Sequence, residues 1–168
     1  MPPIRLPHLL AWCALALLPL VASAQRGGSL SADDMEKVYA QSLRVADAII
    51  ARSSTELKQL HESKAHLPAA QSAIERTVAV IDYCRLYKQH YQLKQDLATY
   101  QATCARNHTD TVEAATHLNE LDQKLTEATA RLATMRKDYL DRYKTEIPDP
   151  LGIVFAQIFR PEPTAHSP

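Results

Sequence analysis

The sequence predicts an all-α fold: an elongated antiparallel three-helix bundle or coiled coil, closed by a short apolar C-terminal helix. Three observations carry this. Residues 69–147, 79 in a row, contain neither glycine nor proline, the two residues that most strongly interrupt regular structure. The same stretch is rich in Ala, Leu, Gln, Lys, Glu and Arg, which are good helix formers. Its apolar residues recur at alternating intervals of three and four, which places them on one helical face.

A leader precedes the helices. Arg5 supplies a positive charge, Leu9 to Val21 form an apolar core, and Ala22-Ser23-Ala24 provides a small-x-small cleavage pattern. The apolar core is shorter than the ~20 residues a membrane-spanning helix needs. Residues 1–24 are therefore predicted to be a signal peptide, cut between Ala24 and Gln25. The mature chain of 144 residues is expected in the periplasm or outside the cell, and it suffices for one domain with its own core. Cleavage removes Cys13, four of the ten prolines and the single tryptophan, Trp12.

Residues 25–31 are expected to form a flexible mature N-terminus, and a first helix is expected over 32–64. Ser31 followed by Asp34 reads as a capping box in acidic form. Leu43, Ala46, Ile50, Ser53, Leu57 and Leu60 repeat the helical spacing, with polar Ser53 interrupting the seam. Pro68 suits the first turn of the next helix, where its missing N–H has no partner to lose.

The middle segment contains a conflict. Ile74, Val78 and Ile81 form one stripe, whereas Leu86, His90, Leu93, Leu97, Tyr100 and Cys104 form another, so a continuous helix over 69–106 requires a stutter near Asp82 to Arg85. The two mature cysteines, Cys84 and Cys104, sharpen the question. An oxidising compartment favours pairing them. On a straight helix, however, they lie about 30 Å apart at ~1.5 Å per residue, against the ~7 Å that a disulfide allows between Cα atoms. Three arrangements follow: a chain reversal near Gln92 to Asp96 that gives four helices and a Cys84–Cys104 staple, a continuous helix with free thiols, or bonds between chains. Tyr83, Tyr87 and Tyr91, spaced by four, read either as a partner-binding stripe or as packing between helices.

The third helix is expected over about 110–146, capped by Thr109 or Asp110. Leu118, Leu121, Leu125, Ala128, Leu132, Met135 and Tyr139 make a heptad seam, with Arg136 among the residues expected on solvated faces. Ile147-Pro148-Asp149-Pro150 should end this helix. The 148–160 segment that follows gathers both phenylalanines. Leu151, Val154, Phe155, Ile158 and Phe159 fall on one helical face, which can cap the bundle or dock on a partner. Residues 161–168 are expected to be disordered.

Chemistry is sparse in the chain. It has no His-Glu-x-x-His, Cys-x-x-Cys or Gly-x-Ser-x-Gly pattern, and only three glycines. The reading is accordingly no catalysis, no cofactor and no dedicated metal site. A ligand or metal bundle around Tyr83, Tyr87, His90 and the cysteines is the minor alternative. The mature chain has 18 basic against 19 acidic residues, which argues against nucleic acid as partner, and no membrane span is expected in it. The function expected is that of an exported non-enzymatic scaffold, adaptor or envelope-assembly subunit, working through a protein partner or self-association. A periplasmic holdase-like chaperone is the other reading.

Overall fold

The structure is a computed structural model that describes residues 31–64 and 67–158. The expected leader with its expected Ala24–Gln25 cut, residues 25–30, Phe159 and the 161–168 segment lie outside the described residues. Four helices, α1 (Ala32–Lys64), α2 (Pro68–Asn107), α3 (Val112–Tyr143) and α4 (Pro150–Ile158), make up 90% of what is described, with no strand among them. The fold is an all-α bundle. Among the described residues no helix is long and apolar enough to cross a membrane.

Helix ends follow local chemistry. Ser31 Oγ accepts from the Asp34 N–H at 3.1 Å and donates to Asp34 Oδ2 at 2.7 Å, the expected cap of α1. Pro68 occupies the first turn of α2. The cap of α3 is neither Thr109 nor Asp110 but Thr111, whose side chain accepts from the Ala114 N–H at 3.2 Å. It is one residue closer to the first apolar turn, and the chain turns first: His108 is left-handed, with φ 49°, and the Thr109 N–H closes α2 on the Cys104 carbonyl at 3.0 Å. The α3 helix ends at Tyr143, three residues before the expected stop. Lys144 turns left-handed with φ 56°, the Thr145 hydroxyl accepts from Arg76 at 3.1 Å, and Ile147 folds inward to 6% exposure.

From Met35 onward the helices pack as an antiparallel set. Tyr39 meets Tyr91, Ser42 meets Tyr87 and Asp47 meets Lys88, so α1 runs against α2. Arg76 meets Tyr139, Tyr83 meets Arg136, and His90 meets Thr129, so α3 also runs against α2. The seam expected on α3 is sheltered throughout, with Leu121, Ala128 and Tyr139 buried and Leu118, Leu125, Leu132 and Met135 half-buried. Ser53 lies in the α1 seam at 9% exposure.

The middle helix is one helix. It runs unbroken through Gln92 to Asp96, so the chain does not reverse there, and Cys84 and Cys104 are both free. Separated along one helix, the two sulfurs cannot meet within a chain. No stutter is required either. Arg76, Tyr83 and His90 lie seven residues apart, and each bonds α3, so the α3-facing seam continues upstream through polar and aromatic residues. Tyr87 and Lys88 face α1. A helix with neighbours on two sides buries a wide arc, here Val80, Ile81, Tyr83, Cys84, Leu86 and Tyr87, and a wide arc looks like a broken stripe in sequence.

The short α4 helix docks in its own chain. Pro150 and Val154 are almost fully buried. Ile147 and Leu151 join the central cluster of Ala46, Val80, Tyr83, Cys84, Tyr87 and Tyr139.

Candidate functional site

The best-defined cluster of polar side chains lies where α2, α3 and the C-terminal segment meet. Arg136 donates from Nε to the Tyr83 hydroxyl at 2.6 Å, and its other arm pairs with Asp149 Oδ2 at 2.6 Å. The Tyr83 hydroxyl in turn donates to Asp149 Oδ1 at 3.3 Å, which closes a three-membered ring of bonds. The guanidinium also lies 5.6 Å from the centre of the Tyr83 ring, within cation–π range. Asp149 has a second role. Its carboxylate accepts from the Gly152 N–H at 3.3 Å, which makes it the cap of α4 ahead of Pro150. A Cβ at Gly152 would stand 3.3 Å from that carboxylate, so glycine permits the close approach.

A second group sits between α1 and α2. Ser42 Oγ donates to the Tyr39 carbonyl at 2.7 Å, which leaves it to accept from the Tyr87 hydroxyl at 2.7 Å. Tyr39 stacks at a tilt on Tyr91 with ring centres 5.5 Å apart, and the Lys94 ammonium lies 5.7 Å from the Tyr39 ring centre. Between α2 and α3, His90 Nε2 is 3.0 Å from Thr129 Oγ1, whose own proton goes to the Leu125 carbonyl at 2.8 Å. Thr129 therefore accepts, and the proton is assigned to Nε2 of His90.

The protonation states follow from burial. Desolvation, then the Asp149 carboxylate, pushes the Cys84 thiol up to about 11 and holds the Tyr83 phenol well above its ordinary range. Desolvation pushes Tyr87 up to about 12, against the opposing pull of its bond to Ser42. Desolvation, helped by the Lys94 charge, lowers His90 to about 4. At neutral pH the phenols and the thiol keep their protons and the imidazole is uncharged, so these groups act as fixed donors and acceptors. Among the described residues no buried side-chain nitrogen or oxygen lacks a partner.

No protein-family profile, curated protein or solved structure matches the chain.

The sites expected from sequence fall into two sets. Tyr83 and Tyr87 are not a surface stripe, with 1% and 7% exposure, because their rings fill the space between helices and their hydroxyls are already bonded. Tyr91 is half-buried against Tyr39. Val154 likewise faces the chain's own core, while Leu151 and Phe155 are half-buried and Ile158 is exposed. Cys84, His90, Cys104 and His108 are strung along α2 and its end and do not gather into one site. Among the described residues no three His, Cys, Asp or Glu side chains converge on a metal position. Arg136, read as solvated, is instead the hub of the polar ring. Asp149-Pro150, an N-cap residue followed by a first-turn proline, marks the start of α4, while nothing local in the sequence marks Arg136 as the partner of Asp149.

His90 makes stability depend on pH. Its folded value of about 4 lies below the ordinary 6.5, so between these values the unfolded chain binds a proton that the native chain does not. Its contribution is complete above pH ~6.5 and is lost as pH falls toward ~4. With solvent screening at this half-buried position the loss is about 1–2 kcal/mol. Urea midpoints measured from pH 7 to 4.5 should drop, and His90→Gln should flatten that drop. An equal drop in the variant would assign the effect to other groups.

Proposed function

We propose that the chain is an exported, non-enzymatic helical scaffold or adaptor that works through protein–protein contacts in an envelope or extracellular assembly. The observation that carries this reading is how the polar side chains are used. Tyr83, Arg136, Asp149, Ser42, Tyr87 and His90 bond one another or their neighbouring helices, with protonation states locked by burial. The cluster with the appearance of a reactive centre therefore serves to join helices. What the bundle offers outward is helix faces, on which Val112 is 84% exposed and Leu140 46%. The leader supplies the route, and the near balance of charge in the mature chain fits a protein partner better than an anionic polymer.

A photo-crosslinking residue placed at Leu140, at Val112 and at exposed Glu56, in the protein expressed with its own leader, tests this. A discrete adduct from Leu140 or Val112 and none from Glu56 is expected. A smear of many products would favour the holdase reading, and no adduct from any position would count against contact-based function.

A further inference from the structure

The C-terminal segment is joined to the bundle differently from the other helices. α1, α2 and α3 each have more than thirty residues, and α2 and α3 share contacts from Glu75–Arg142 to Tyr100–His117. By contrast, α4 has nine residues, a length at which a helix does not hold itself in water. Its link to α3 is interrupted. Lys144 is left-handed, and Pro148 and Pro150 have no N–H to pass a hydrogen-bond ladder along. The hold on the bundle includes the Asp149 bonds to Arg136 and Tyr83, the buried Ile147, Pro150 and Val154, and the half-buried Leu151 and Phe155. Segments with few contacts and a broken backbone connection open at lower free energy than the global fold.

We propose that Ile147–Ile158 is a detachable strap, which lifts from the α1–α2–α3 core as a unit while the three long helices stay packed, and uncovers the groove holding Cys84. The placement of Cys84 supports this. The residue has no exposure and belongs to the same cluster as Ile147 and Leu151. The open form uncovers Cys84 and the sides of Val80 and Tyr83 that pack with Ile147 and Leu151, and releases the Arg136 guanidinium from Asp149. The inference rests on packing and linkage and is independent of the function proposed above.

Cys84 is its own reporter. In a Cys13→Ser, Cys104→Ser chain, modification of Cys84 by an aromatic disulfide reagent is followed at increasing urea, beside loss of helical circular dichroism. Strap opening exposes little surface, so modification at low urea should depend weakly on urea and run on the order of 100-fold faster than global unfolding permits. Asp149→Asn should accelerate it about tenfold, the worth of one charge-assisted hydrogen bond, and Val154→Ala should also accelerate it. Modification that follows global unfolding with the same urea slope overturns the proposal. So does weakly urea-dependent modification that neither substitution changes, because α1 would then be the part that opens.

Discussion

Replacing Tyr83 with alanine is expected to destabilise the bundle by about 3–5 kcal/mol, the range for deleting a fully buried aromatic ring. The ring is 1% exposed, so its removal leaves a cavity where α2, α3 and the C-terminal segment meet. The hydroxyl is a separate part of the loss. It accepts from Arg136 at 2.6 Å and donates to Asp149 at 3.3 Å. Tyr83→Phe keeps the ring and the Arg136–Asp149 pair, and should cost only about 1–2 kcal/mol. Urea unfolding followed by circular dichroism measures both. If the two variants were equally destabilised, the hydroxyl rather than the ring would hold the junction together. If neither changed stability, the ring would not be at the centre of the packing.

The next largest effect is expected at Val154. An aspartate there places a carboxylate at a position 1% exposed, out of reach of bulk water. Lost apolar burial and the cost of the charge together come to about 3–4 kcal/mol. Ile158→Asp, on the same short helix but 49% exposed, should stay within about 0.5 kcal/mol. The contrast separates docking within the chain from docking on a partner, since a segment waiting for a partner would leave the isolated protein indifferent to both substitutions. Equal urea midpoints for the two variants would remove the packed position of α4.

The helices were legible because their signals are local. Spacings of three and four, the Ser31–Asp34 box and Pro68 are read from residues within one or two turns, and α1 spans the residues those signals mark. The α3 seam was legible for the same reason, since it packs chiefly along one side and its apolar stripe is narrow. α2 was not. Its seam toward α3 runs through Arg76, Tyr83 and His90, residues that hydropathy counts as polar or ambiguous. Their fit depends on hydroxyls and a guanidinium supplied from residues 39 to 63 positions away.

The cysteines show the same limit from the other side. The compartment expected from the leader pattern pointed toward a staple, and that expectation says nothing of the fold. What separates Cys84 from Cys104 is the continuity of α2, set by the helices packed on both of its sides. That packing buries Cys84 and pushes its thiol up to about 11, which leaves it unreactive until something uncovers it.

By itself the sequence determined the all-α class, the span of α1 and the apolar seam of α3, because helix propensity and periodicity act over a few residues. Its first 24 residues also carry the pattern expected of a leader, a run of apolar side chains before Ala22-Ser23-Ala24. Only the tertiary structure decided that the middle helix is unbroken, that the tyrosines face inward, and that Asp149 closes a ring with Tyr83 and Arg136 while capping α4. Each of these depends on which side chains distant in sequence fill the same space, and burial sets their protonation only once that space is closed.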